Sequence, residues 1–276
     1  MYEDYTKVNG VAKYMKKIRF LSINIGNPSL ERAQKQCEWL LNREEDVFVL
    51  TETKESKGCL YIEEFFKQYG YDLFSFHTST FYDVEFPHSQ TGDLGVMIIS
   101  KYPITKKNNY FPKDSIYFSR QLEVEIQIEN EKLNVVGLYV PSRNRTEEKI
   151  FRKRRFIEDI EIYLKRECHE KRIIMGDLNI LEKNHKPHYS TFFSWEYDFY
   201  DNIIESGYID AFKYISPYKQ EYSWVGRTQD GYRYDYCFVS SSLETDILEC
   251  QYIHETREIK ITDHSAIVMT LNIRDN

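Results

Sequence analysis

Eight short runs rich in β-branched and aromatic residues, most bounded by turn residues, are spread along this chain: KIRFLSIN (17–24), DVFVLTET (46–53), LGVMIIS (94–100), RQLEVEIQI (120–128), KLNVVGLYV (132–140), RIIMGD (172–177), RYDYCFVS (233–240) and SAIVMTLNI (265–273). This is the pattern of β-strands, and strict alternation in LEVEIQI marks a half-exposed one. Four helical patterns lie between them, at 29–44, 58–70, 146–167 and 199–207. The first opens on Ser29 as N-cap, and in the third Ile150, Phe151, Phe156, Ile157, Ile160 and Leu164 form an apolar stripe at helical spacing. Strands and helices mix without strict βαβ alternation, so sheets packed on each other with helices outside are expected.

A chain of 276 residues suits one large core, and no linker, low-complexity block or repeat divides it. One domain over residues 1–276 is expected, with 1–16 as an N-terminal extension. The N-terminus lacks the apolar segment of a secretion signal, and no apolar run approaches the roughly 18 residues of a membrane span. The five cysteines, Cys37, Cys59, Cys168, Cys237 and Cys250, are odd in number and never arranged as CxxC. Reduced, mostly buried thiols and a cytoplasmic location follow. A net charge of -7 argues against a general nucleic-acid binder. It does not exclude a nuclease, because a local patch or bound cation sets the field at a site.

The polar residues that interrupt these runs are the useful signal. Asn24, Glu52, Tyr139, Asp177 with Asn179, Asp235, and Asp263 with His264 each fall at the end of a strand, within one or beside one. Converging at one end of a sheet pair, they would build the cluster that metal-assisted phosphoryl chemistry needs. Glu52 is either an exposed strand-end acid or a carboxylate ligand for Mg2+. IIMGDLNI (173–180) ends a core strand on Asp177, and a buried carboxylate costs several kcal/mol unless paired. Asn179, two residues on, would point from the same side of an extended segment. Asp235 inside an apolar strand demands a partner, and a carboxylate on one imidazole nitrogen of His264 would aim the other at a phosphate. Tyr139, Trp224 and Tyr232 are packing aromatics or ligand contacts. Arg143, Arg145, Arg152, Lys153, Arg154 and Arg155 form a dense basic patch, either a solvated helix face or a contact for a phosphate backbone. The two histidines of HKPH (185–188) lack companion metal ligands.

In order, FLSINIG, VLTETK, LGVMIISKYPI, VVGLYVPS, IIMGDLNI, YSWVGR with RYDYCFVS, and TDH resemble the motif series of the endonuclease/exonuclease/phosphatase superfamily, most closely its exonuclease III and abasic-site endonuclease branch. The resemblance implies an α+β, four-layer fold, two mixed β-sheets packed face to face with helices on the outer faces. It implies a Mg2+-dependent phosphodiesterase, with Mn2+ as a substitute, acting on nucleic acid, DNA above all, as a monomer with no obligate protein partner. Glu52 would bind the metal with Asn24 and Asp263 in its shell, and Asp177 would orient or deprotonate the attacking water. Asn179 and Tyr139 would hold the phosphate, and His264, oriented by Asp235, would stabilise its charge. Asn24, Trp224, Tyr232 and Arg143 would complete the substrate surface. Departures from the branch, such as Thr51 and the TDHSAI context, keep a phospholipid, inositol phosphate or small nucleotide as the alternative substrate. A binding module without turnover is the third reading, disfavoured because every polar residue of the series is present.

Overall fold

The structure, a computed structural model, describes residues 5–8, 11–68, 83–89, 91–166 and 171–274; Cys168 and the last residues of two expected helices, 69–70 and 167, lie outside them. One sheet contains β1 (Tyr5–Val8), β2 (Val11–Asn24), β3 (Val47–Thr53), β4 (Asp83–Glu85), β5 (Gly95–Ser100), β14 (Ile247–Ile253) and β15 (Ala266–Arg274), ordered β14-β15-β2-β3-β5-β4 with β1 hairpinned on β2. The other contains β6 (Ile104–Asn108), β7 (Gln121–Ile128), β8 (Glu131–Tyr139), β9 (Arg172–Asp177), β10 (Tyr208–Asp210) and β13 (Asp235–Ser240), ordered β10-β13-β9-β8-β7-β6. A separate hairpin joins β11 (Trp224–Val225) to β12 (Gly231–Tyr232). Each large sheet is mixed, with one parallel pair, β2 with β3 and β8 with β9.

Strand periodicity divides the core into layers. Ile18, Phe20, Val47, Val49, Val135, Ile173, Met175, Cys237 and Met269 point between the sheets. Their alternates on the first sheet, Leu21, Ile23, Phe48 and Leu50, pack under α1 (Leu30–Leu41) and α2 (Lys57–Gln68). Those on the second, Val136, Leu138, Ile174, Tyr236 and Phe238, pack under α3 (Glu147–Arg166) and α4 (Ser194–Glu205). The result is the expected four-layer α+β sandwich. Two short helices, α5 (Ala211–Ile215) and α6 (Glu255–Glu258), finish the chain's connections.

Ser29 caps α1 as expected, accepting from the Arg32 amide at 3.4 Å. The stripe on α3 is corrected at one position: Phe151 is 71% exposed, while Lys153 is buried. At 100° per residue Phe151 falls some 140° away from Phe156, whereas Lys153 falls within 60° of it. Helix α4 also begins five residues before the expected 199, at Ser194, because Glu196 accepts from the Phe193 amide and caps it. Among the described residues no helix is long and apolar enough to cross a membrane. Cys37, Cys59, Cys237 and Cys250 are buried free thiols.

Candidate active site

The site lies where the inward-facing rows run out. Position 177 continues the row of Ile173 and Met175, and position 235 that of Cys237 and Val239; Asp177 stands opposite Tyr139 on one side and Asp235 on the other. Asn24 likewise ends the row of Phe20 and Ser22, in register with Thr51. The same alternation that fills the core with apolar residues therefore carries polar ones onto its rim.

Glu52 breaks this rule. Regular alternation would place it with Phe48 and Leu50, under the helices. Instead, register shifts between Thr51 and Thr53 and Glu52 takes φ +55°, a β-bulge that turns it toward the opposite sheet. There its Oε1 accepts the Tyr139 hydroxyl at 3.0 Å. Arg120, itself held by Asp93, stacks 4.6 Å over the Tyr139 ring.

Asp177 is fully held. Asn24 Nδ2 donates to Oδ2 at 2.9 Å and the Asn179 amide to Oδ1 at 2.9 Å, while Asn24 Oδ1 accepts from the Gly26 amide. The expectation that Asn179 extends alongside Asp177 is corrected: Asn179 adopts φ +49°, the chain turns, and its Nδ2 donates back to Val140 O. Gly176 at φ +147° permits the approach to β8, since a Cβ there would sit 1.9 Å from Leu138 O. Burial first, then the charges of Asp235 and Glu52, push the Asp177 carboxyl up to about 8 against the opposing pull of His264 and Asn24.

Asp235 Oδ2 accepts from His264 Nδ1 at 2.7 Å, and both residues are buried. Burial disfavours charging the ring, but the Asp235 carboxylate and its hydrogen bond, with Asp177 and Asp263 adding, raise His264 to about 9. The pairing leaves Nε2 as the nitrogen available to a ligand. Ser223, which no sequence signal marked, fixes Asp235: its Oγ accepts from the amides of Tyr234 and Asp235, and its carbonyl from the Ser265 amide.

Asp263 is exposed on the other flank and accepts from Trp224 Nε1 at 2.9 Å. Tyr232 faces Trp224 across the hairpin and stacks on Tyr189 and Tyr234. Arg143 and buried Lys153 both pair with Glu196, and Lys153 also donates to Asn179 O at 2.6 Å. Arg152 pairs with Asp93, and Arg154 and Arg155 pair along their own helix. The basic run thus presents no single face: Arg143, Arg152, Lys153, Arg154 and Arg155 are divided between interior and surface ion pairs, and Arg145 is exposed.

One ligand atom from each of Asp177, Asp235 and His264 lies within 4.8 Å of the others. With Glu52 and Asp263 the rim holds four carboxylates, and one oxygen of buried Asp235, Oδ1, has no hydrogen-bond partner. That excess of oxygen donors and negative charge fits a hard divalent cation.

A rim of this kind, on two mixed sheets covered by helices, defines a phosphoester hydrolase of the nuclease and phosphatase type. The sequence model of the endonuclease/exonuclease/phosphatase family matches residues 21–264, and the chain belongs to that family. It is 27% identical to an exodeoxyribonuclease of Bacillus subtilis (strain 168) over 163 residues, 54% of this chain and 64% of that protein, so it spans just under two thirds of that relative's length. Its fold is similar to an AP endonuclease from Archaeoglobus fulgidus, with a TM-score of 0.76 and 19% identity, covering 93% of this chain and all of the other. It is also similar to NExo from Neisseria, a 3' phosphatase bound to a product DNA hairpin, with a TM-score of 0.75 and 17% identity, covering 91% and 98% of the two chains.

Proposed function

We propose that the protein is a Mg2+-dependent nuclease of exonuclease III and abasic-site endonuclease type, acting on DNA in repair, with residues 1–276 forming one catalytic domain. The observation that carries the reading is the rim itself: Glu52 and Tyr139 joined across the sheets, beside Asp177 and the Asp235–His264 pair. The relatives include an exodeoxyribonuclease, an AP endonuclease and a 3' phosphatase bound to DNA, which supports a DNA substrate. Four buried free thiols support a reducing, cytoplasmic setting.

Glu52 would hold the cation, with Asp263 and Asn24 beside it. When bound, Mg2+ supplies charge neutralisation of the scissile phosphate and Lewis acidity toward the leaving oxygen. Asp177 orients the attacking water through the second lone pair of Oδ1, which also accepts from the Asn179 amide, and takes its proton, ionising in the working pH range once the carboxylate cluster is neutralised. His264, held by Asp235, donates through Nε2 to a phosphoryl oxygen. Asn179, with the amide proton not given to Val140, and Tyr139, once its hydroxyl turns from Glu52, would fix the phosphate between them.

Incubation with an abasic-site duplex, a recessed 3' end and a 3'-phosphate primer, each with Mg2+ and with EDTA, tests the reading. Metal-dependent incision or 3' trimming is expected, and its absence over a wide enzyme range sinks the DNA assignment. A small phosphoester or inositol phosphate is the second reading. The carboxylate partners of Arg143, Arg152 and Lys153 favour it, because they neutralise cations that a DNA backbone would otherwise meet. The same assay run with those substrates decides between the two.

A further inference from the structure

Beside Glu52 the rim opens into a cleft of about 880 Å3, and the arrangement above uses only one end of it. Gly26 and Arg32 wall it at the start of α1, Gly226 at the β11–β12 hairpin, and Arg257 and Lys260 at α6 and just beyond. Glu52 and Asp263, assigned above to the cation, line the same cleft, which therefore joins a cation end to a guanidinium end.

Two features mark the guanidinium end as a site for an anion. The first is charge. Arg120, Arg143, Arg152 and Lys153 each answer to a carboxylate. Among the described residues no carboxylate lies within ion-pair distance of Arg32, Arg257 or Lys260, although Glu258 lines the same cleft and acts with Glu221 on Arg257 from farther off. Arg32 donates Nη2 to Gly26 O, Arg257 donates Nη2 to His254 Nδ1 at 3.1 Å, and each arginine keeps a buried Nε without a hydrogen-bond partner. Arg152 also keeps an open Nε but has a carboxylate partner; Arg32 and Arg257 combine the open donor with the lack of one, and a ligand that accepts from them would complete both.

The second is support. Ser265 Oγ lies 2.7 Å from His254 Nδ1, and His254 Nε2 lies 2.9 Å from Glu221 Oε2. With Glu221 accepting at Nε2, the ring carries its proton there, and Nδ1 accepts from both Ser265 and Arg257. Glu221 and His254 thus hold Arg257 in place from behind, as outer partners hold a ligating group.

We propose that Arg32 and Arg257, positioned by Glu221 and His254 and joined by Lys260, form a subsite for a second phosphate of the substrate, a phosphodiester flanking the scissile one on a nucleic-acid strand. This rests on the nuclease reading above. A strand offers one charge per nucleotide, and forked guanidinium donors match its phosphate oxygens. Contacts of this kind fix the register of the strand without reading its sequence. The subsite would therefore decide which phosphodiester reaches Asp177 and His264.

The test is binding in EDTA, by fluorescence anisotropy, of an oligonucleotide whose phosphates are replaced one at a time by neutral methylphosphonate. One position is expected to cost the wild-type protein about tenfold in affinity and Arg257→Gln less than about twofold, the non-additivity of two groups in contact. Glu221→Gln should weaken binding of the unmodified strand in the same direction, and Arg257→Lys should recover part of it. A scan costing wild type and Arg257→Gln equally at every position overturns the subsite while leaving the nuclease reading intact. Inorganic phosphate or a nucleoside bisphosphate that competes with wild type but not with Arg257→Gln, beside a flat scan, overturns the strand phosphate in favour of a small phosphoester. Wild-type protein that neither binds nor cleaves any oligonucleotide overturns both the subsite and the nuclease reading.

Discussion

Asp177 is a buried acid among acids, and its protonation sets two measurable properties at the scale of one residue. Its pKa is raised in the folded protein to about 8, so its contribution to stability is fully present below the ordinary carboxylate range near 4 and is lost as pH rises through 8. Asp177→Asn removes that loss. Without divalent cations the variant should melt at least about 2 °C above wild type at pH 8 and lose the advantage by pH 4, measured by differential scanning fluorimetry. Its turnover should nevertheless fall at least about 10²-fold, the effect of losing a positioned base. A variant that is both less stable at pH 8 and still active would refute the assignment. Asp235→Asn should likewise lose about 10²-fold or more in turnover, because His264 loses the charge that raises it to about 9. A circular-dichroism melt with an unchanged transition separates this from a folding defect. The polar character of both positions was legible in the sequence, as acids set among apolar residues. Their common neighbour Ser223 was not, since a serine in a loop carries no mark of the amides it will meet.

At the scale of elements, helix α3 shows why a one-dimensional stripe misleads. Apolar residues at roughly the right spacing suggested that Phe151 was core, yet the helix turns it to solvent and buries Lys153 against Glu196. Phe151→Ser should therefore change stability by no more than about 0.5 kcal/mol. Glu196→Ala should cost about 3 to 5 kcal/mol in urea denaturation, because it strands two cations, buried Lys153 and Arg143. Equal effects from the two substitutions would contradict this packing. The strands were better marked than the helices, and β6 and β14 show the limit: ITKKN is largely exposed, and ILECQYI alternates buried and exposed positions irregularly around a bulge. Glu52 is the sharpest case. Its strand was readable, but the bulge that reverses its side chain depends on how β3 pairs with β5.

For the whole molecule, the two sheets meet their polar ends at one rim, which gathers the carboxylates of Glu52, Asp177, Asp235 and Asp263 around His264, the donor set proposed for a cation. Mg2+ should therefore raise the melting temperature of the wild-type protein at pH 8, should do so less at pH 5, and should have little effect on Glu52→Ala; thermal scans in Mg2+ and in EDTA check this. A Mg2+ effect unchanged by Glu52→Ala would move the cation elsewhere. The sequence by itself determined the composition of this protein's layers and the chemistry of its rim, because strand alternation and the expense of burying acids act over a few residues. The tertiary structure alone decided which polar residues meet: Glu52 with Tyr139 across 87 positions, Asn24 with Asp177 across 153, and Lys153 with Glu196 in the interior. Those pairings depend on sheet order, register and the face each bulge or helix turn presents, and none of these is encoded in any short stretch of the chain.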